Sequence, residues 1–213
     1  MYTHQKFDAP GNLTSLSYLE YLPENYGSGE KFPLVVFLHG AGERGDDLEK
    51  VAVHGWMKHV RQGEKLPFVM IAPQCPAAKY WGCYIESLNA LLDMALEKYS
   101  VDPARVYLTG LSMGGTGTWM WSLANPERFA AVVPICGTGV YWYGGQLAKK
   151  SVWVFHGEAD PVVPVVESIN MVQSIRKHGG EPKLTLYPGV GHDSWSRAYA
   201  DPALMQWMLE KTL

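Results

Sequence analysis

LTGLSMGGTGTW, residues 108–119, is the stretch whose reading decides the fold. It contains Gly110-Leu111-Ser112-Met113-Gly114, a G-x-S-x-G pentapeptide. Before it, Arg105–Thr109 is apolar and β-branched enough for a strand; after it, Gly115 onward can form a helix that ends before Pro126. A serine at a sharp strand-to-helix turn carries strained dihedrals, and the residues two before and two after must be small for strand and helix to approach. The pentapeptide therefore reads as a nucleophile turn, in a strand–helix context that an incidental Gly-rich turn would not need.

A serine hydroxyl is a weak nucleophile and needs a base, which in turn needs an orienting acid. On this kind of turn the chain order is Ser, Asp/Glu, His, with both partners just past later strands. SVWVFHG (151–157) runs into GEADPVVP, which offers Asp160 with Glu158 as a rival. Asp160 is preferred because it lies farther out on the loop and Pro161 after it helps to fix a turn. KLTLYPG (183–189) runs into VGHDSW, which offers His192 as the base. His54 and His59 precede the serine, His178 closes a helix where a cation suits the dipole, and His156 reads as a packed histidine.

The same strand logic extends over the chain. Short apolar runs recur at 33–40, 67–74, 105–112, 129–137, 151–157 and 182–189. Unbroken rather than alternating apolarity fits strands covered on both faces, as in a parallel sheet. Residues 14–22 alternate loosely and read as an antiparallel strand near an edge. Helical patterns over 84–100, 164–178 and 202–213 separate or follow these runs, the last opened by Asp201-Pro202 as N-cap and first residue. The alternation predicts a doubly wound α/β fold. The length of 213 residues, without repeats or a linker, suits one domain over 1–213.

Composition narrows the function classes. Hydrophobic residues make up 47% and charged residues 18%, ordinary for a globular chain. A net charge of −3 and no Lys/Arg cluster argue against a nucleic-acid partner. No run approaches a membrane span of about 18 apolar residues. The N-terminus lacks the pattern of a signal peptide, which leaves the compartment open between a cytoplasmic protein and a secreted one whose leader is gone. Three cysteines give no disulfide framework, although Cys75 and Cys83 are near enough to pair. No zinc-type spacing occurs, so neither metal nor cofactor is expected.

PLVVFLHGAGERGDD, residues 33–47, ends a strand in glycines and charge. Its Gly40-Ala41-Gly42 lacks the lysine and the helix of a phosphate-binding loop. HGAG, GLSMGG, DPVVP and VGHDSW together resemble the α/β-hydrolase superfamily. Within it they look most like small serine esterases of the phospholipase/carboxylesterase and polyhydroxybutyrate-depolymerase-like groups, related to the dienelactone hydrolase family. The resemblance covers nearly the whole chain and is specific for serine chemistry rather than for a substrate. It implies a mostly parallel central sheet with helices on both faces, and an oxyanion hole from the backbone N–H groups of Ala41 and Met113. It also departs from the family: dienelactone hydrolases proper use a cysteine where this chain has Ser112, so lactone specificity does not carry over. Only GTGVYWYGGQLAKKS, residues 137–151, stands where lipases carry a lid, so an open site is expected.

These readings imply a carboxylesterase for short-chain acyl or aryl esters, small or polymer-linked. A feruloyl or acetyl-xylan-type esterase and a non-catalytic module on a hydrolase scaffold are the alternatives. Trp81, Trp142 and Trp195 are expected to line the substrate pocket, and Trp56 and Met57 to form another rim. Gly40 and Gly42 are expected to let the loop turn, with His39 bracing it. Glu43, Arg44 and Asp46 are expected to form an ion-pair network that stiffens it; the other reading puts Glu43 or Arg44 against a polar leaving group.

Overall fold

The computed structural model describes residues 1–213. Its eight strands are β1 (Tyr2–Phe7), β2 (Leu16–Tyr21), β3 (Phe32–Leu38), β4 (Val69–Pro73), β5 (Val101–Leu111), β6 (Ala131–Ile135), β7 (Ser151–Gly157) and β8 (Lys183–Tyr187). They form one sheet in the order β1-β2-β4-β3-β5-β6-β7-β8. β1 pairs antiparallel with β2, and β2 with β4; every pairing from β4 through β8 is parallel. The sheet is that of an α/β-hydrolase.

The unbroken apolar runs follow from this layering. In β3, Leu34, Val36 and Leu38 face one core and Val35 and Phe37 the other, and all five are buried. On the first face lie α2 (Ile85–Lys98), α3 (Met113–Ala124) and α4 (Val166–Lys177), contributing Leu91, Trp119 and Met171 among others. On the second lie α1 (Gly55–Arg61), α5 (Trp195–Ala200) and α6 (Pro202–Leu209), contributing Trp56, Tyr199 and Leu204. Each side chain of the inner strands β3, β4 and β6 thus leaves water whichever way it points, at about 25 cal/mol per Å² of apolar surface. Asp201 caps α6 by accepting from the Ala203 N–H at 2.9 Å, with Pro202 at the first position. No helix is long and apolar enough to cross a membrane.

The segment between β6 and β7 makes one short 3-10 stretch, Tyr141–Leu147. It lies down on α4: a Cβ on Gly139 would meet Met171 at 2.0 Å, and one on Gly144 would meet Ser174 at 2.6 Å. It forms no lid.

Candidate active site

Four strands deliver the site at their carboxyl ends, where open α/β sheets bind ligands. β3 ends at Leu38 and leads into His39–Glu43; β5 ends at Leu111 and leads into Ser112; β7 leads to Asp160 and β8 to His192. Ser112 has φ 53° and ψ −117°, a left-handed backbone that costs a non-glycine residue about 1–3 kcal/mol. The turn closes because its flanks are glycines. A Cβ on Gly114 would lie 1.9 Å from the Leu38 carbonyl oxygen, and one on Gly110 would lie 2.5 Å from the Gly114 carbonyl oxygen.

The loops that carry Asp160 and His192 are stitched to each other. Glu158 N–H donates to the Tyr187 carbonyl at 3.1 Å, and Ala159 N–H to the Val190 carbonyl at 3.0 Å. Gly157 leaves no room for a side chain, since a Cβ there would stand 2.2 Å from the Gly191 carbonyl oxygen. These contacts bring Asp160, not the exposed Glu158, to His192. His192 Nδ1 is 2.7 Å from Asp160 Oδ2, and His192 Nε2 is 2.8 Å from Ser112 Oγ. Because a carboxylate only accepts, Nδ1 carries the proton and Nε2 is free to accept from the serine hydroxyl.

Asp160 is fixed on every side. Its side chain is wholly buried, and Oδ1 accepts from the Val162 and Val163 N–H groups at 2.8 and 3.0 Å. Burial by itself would raise its pKa, but the hydrogen bonds from His192, Val163 and Val162 outweigh it and hold the carboxyl below its usual range. His156, read from sequence as a packed histidine, is buried behind the acid. Its Nε2 lies 2.9 Å from the Val163 carbonyl and 3.2 Å from Asp160 Oδ2, and its Nδ1 2.7 Å from Ser168 Oγ. Two acceptors at Nε2 place the proton there. Its position four residues before Asp160, at a strand end, was the available signal for this contact.

The opposite wall is the loop after β3. Ala41 starts a 3-10 turn, Ala41–Glu43, and Met113 starts α3. As first residues of helical turns, both have N–H groups without an intrahelical acceptor. The loop abuts Ser112: a Cβ on Gly40 would be 3.7 Å from Ser112 Cβ. His39 braces it, accepting the Cys75 N–H at Nε2 (2.9 Å) and donating from Nδ1 to the Gly40 carbonyl (2.6 Å). Burial, with Arg44 nearby adding to it, brings the His39 pKa down to about 4 against the opposing pull of the Gly40 bond.

The expected ion-pair network in this loop does not form. Arg44 donates instead to the Ala41 and Lys79 carbonyls at 2.9 and 3.0 Å, stiffening the loop through backbone. Glu43 turns inward, with His54 and His39 its nearest cationic candidates at 3.8 and 3.9 Å. Gly42 has open space around it, so only Gly40 of the pair is sterically required.

A cavity of about 280 Å³ holds Ser112 and His192 and is bordered by Gly40, Ala41, Glu43, His54, Val162 and Trp195. Trp195 lines it as expected, its ring edge-on to His192 at 5.3 Å. Trp81 does not: it is 1% exposed, donates from Nε1 to the His39 carbonyl at 3.0 Å and packs on Gly117. Trp142 does not either. It is 65% exposed and borders a separate groove with Asn170, Gln173 and Lys177, because its loop lies down on α4. Trp56 and Met57 are fully buried rather than a rim, Trp56 donating to the Tyr199 carbonyl. Glu43 had been weighed as a leaving-group contact, but sequence reading missed His54 and Val162 as lining, since neither carries a motif. Cys75, Cys83 and Cys136 are free thiols, and burial pushes Cys75 and Cys136 up to about 12.

Comparison with known proteins agrees with this architecture. The family model described as "Dienelactone hydrolase family" matches residues 82–201. The chain is 24% identical to a probable feruloyl esterase C of Aspergillus terreus over 79% of this chain and 64% of that protein. It is 26% identical to poly(3-hydroxyalkanoate) depolymerase C of Paucimonas lemoignei over 80% of this chain and 50% of that protein. A thermostable esterase of known structure superimposes with a TM-score of 0.88 and 32% identity, covering 100% of this chain and 63% of that one. The chain thus spans between half and just under two thirds of these relatives. The matched model covers more than half of the 213 residues, including the turn at Ser112 and the loops of Asp160 and His192: the chain belongs to the dienelactone hydrolase family.

Proposed function

We propose that the protein is a serine carboxylesterase that hydrolyses short-chain acyl or aryl esters through an acyl-enzyme. The observation that carries this reading is the continuous hydrogen-bonded chain from Ser112 Oγ through His192 to Asp160 Oδ2. His192 Nε2 takes the hydroxyl proton as Ser112 Oγ attacks the carbonyl carbon. Asp160 keeps the imidazole in the Nδ1–H tautomer and stabilises the imidazolium. The Ala41 and Met113 N–H groups receive the developing oxyanion. Such donors are fixed before the reaction, and losing one costs about 3–4 kcal/mol in a serine hydrolase. His192 then protonates the leaving alkoxide, and with the alcohol gone it activates a water that cleaves the acyl-enzyme. No step calls for a metal or cofactor.

A polymer-linked substrate is the second reading. It is favoured by the relatives named feruloyl esterase C and acetylxylan esterase A, the latter from Emericella nidulans and 21% identical, and by a site that no lid covers. Labelling by a fluorophosphonate probe tests the common core. Wild type should be labelled at Ser112 and should hydrolyse p-nitrophenyl acetate, and Ser112→Ala should lose both. Wild-type turnover in the alanine variant would refute the assignment. An unlabelled, inactive wild type would point to a non-catalytic module. Methyl ferulate and acetylated xylan beside a series of p-nitrophenyl esters separate the two substrate readings.

A further inference from the structure

Glu43 is a buried carboxylate that the chemistry above does not use. It is 8% exposed and borders the same cavity as Ser112. Its Oε2 is fully buried and accepts no hydrogen bond, a condition that folding alone does not favour. Its neighbours do not satisfy it. Arg44 is spent on two backbone carbonyls, and the His39 Nδ1 proton goes to Gly40. His54 Nε2 stands 3.8 Å from Oε1, beyond hydrogen-bond range.

The position of this carboxylate is specific with respect to the reaction. His192 must protonate the departing alkoxide, so the alcohol leaves on the His192 side of Ser112. Trp195 forms that side, 5.3 Å from the His192 ring and 5.4 Å from the His54 ring, edge-on to both. Glu43 follows beside His54. The wall facing the alcohol therefore offers an aromatic surface, an imidazole and a carboxylate short of donors. We propose that Glu43 and His54 form a subsite for the alcohol half of the ester, selecting alcohols with free hydroxyls next to the ester oxygen, as in glycerol or a sugar.

A hydroxyl in the cavity can donate to Glu43 Oε1, the oxygen beside His54, giving the carboxylate the donor that its buried Oε2 does not find in the protein, and a neighbouring oxygen can pair with His54 Nε2. Carbon-bound hydrogens between them fit the Trp195 ring. A simple alkyl alcohol would leave the carboxylate unsatisfied and desolvated, and sites built to hydrogen-bond a hydroxyl reject analogues that lack it. A quaternary ammonium alcohol would meet the charge but brings no donor to the carboxylate and no acceptor for His54.

This inference rests on the reading of Ser112 as nucleophile. Its test is a matched pair of acetates, 2,3-dihydroxypropyl acetate and propyl acetate, which share acyl group and carbon skeleton. Wild type should favour the dihydroxy ester in kcat/KM by at least about tenfold, and Glu43→Gln and His54→Ala should each bring that ratio toward one, mainly through KM. A wild-type ratio near one overturns the subsite, as does a variant that slows both esters equally. Should a variant fail to fold, the wild-type ratio and the other variant still decide. Fluorophosphonate labelling of Ser112 keeps the two readings apart. Labelling with no preference between the esters removes the subsite alone, whereas no labelling removes the esterase reading and the subsite with it.

Discussion

Asp160 Oδ2 is shared by two imidazoles: His192 Nδ1 at 2.7 Å from the solvent side and His156 Nε2 at 3.2 Å from the protein side. The second contact closes a ring, because His156 also donates to the carbonyl of Val163, whose N–H donates to Asp160. Asp160 is held by its own loop through His156.

His156→Phe keeps a ring in the space but removes this link, leaving the Val163 carbonyl and Ser168 hydroxyl without their partner. Each such buried orphan costs about 1–3 kcal/mol. The variant should lose stability by that order and lose about tenfold or more in kcat, as misplaced supporting groups do in preorganised sites. Thermal unfolding beside p-nitrophenyl acetate kinetics checks both; an unchanged kcat in a folded variant would show that His156 does not position the acid.

Asp160→Asn should preserve the fold while presenting an amide to His192. An amide N–H₂ facing Nδ1 favours the Nε2–H tautomer, which cannot accept the serine proton. The expected fall in kcat is about 10⁴-fold. Fluorophosphonate labelling should slow in proportion, and a variant within tenfold of wild type would assign the acid role elsewhere, with Glu158 as the nearest rival in sequence.

Much of this site was legible in the sequence because its residues stand at fixed offsets from strand ends. Ser112, Asp160 and His192 each follow an apolar run, and the structure brings the three side chains together. Side-chain direction was not legible. Trp81 and Trp195 both lie on strand-end loops, yet Trp81 turns inward to the His39 carbonyl while Trp195 faces the cavity. The fate of Arg44 depended on a backbone carbonyl 35 residues away, that of Lys79, which took it in place of a local ion pair. β1 went unread because YTHQKF lies at the sheet edge, where only Phe7 is buried and no apolar run is needed.

His39 predicts a pH dependence of stability. Its pKa falls from an ordinary 6.5 to about 4 on folding, so between those values the unfolded chain binds the extra proton. Stability from this group is therefore complete above about pH 6.5 and declines as pH falls toward 4. One pKa unit is worth about 1.4 kcal/mol, so about 3 kcal/mol should be lost by pH 4. Asp160, held below the usual carboxylate range, adds a loss only at still lower pH. Urea unfolding at pH 7 and pH 4 should show the difference in wild type and a much smaller one in His39→Gln. Equal slopes in the two proteins would remove His39 as the cause.

The two glycines of the β3 loop should respond differently to the same change. A Cβ on Gly40 would meet Leu111 Cδ1 at 2.9 Å and Glu43 Oε2 at 3.0 Å, pressing the loop away from Ser112. A Cβ on Gly42 would meet nothing within 4 Å, and its φ lies outside the left-handed region. Gly40→Ala should therefore displace the Ala41 N–H and reduce kcat by about 10²–10³-fold, the worth of one oxyanion donor. Gly42→Ala should change stability by no more than about 0.5 kcal/mol. The comparison of kcat and unfolding midpoint in the two variants separates a loop that needs flexibility throughout from one that needs close approach at a single residue. Equal loss in both would favour flexibility, and loss at Gly40 alone would tie the loop's function to its contact with the nucleophile turn.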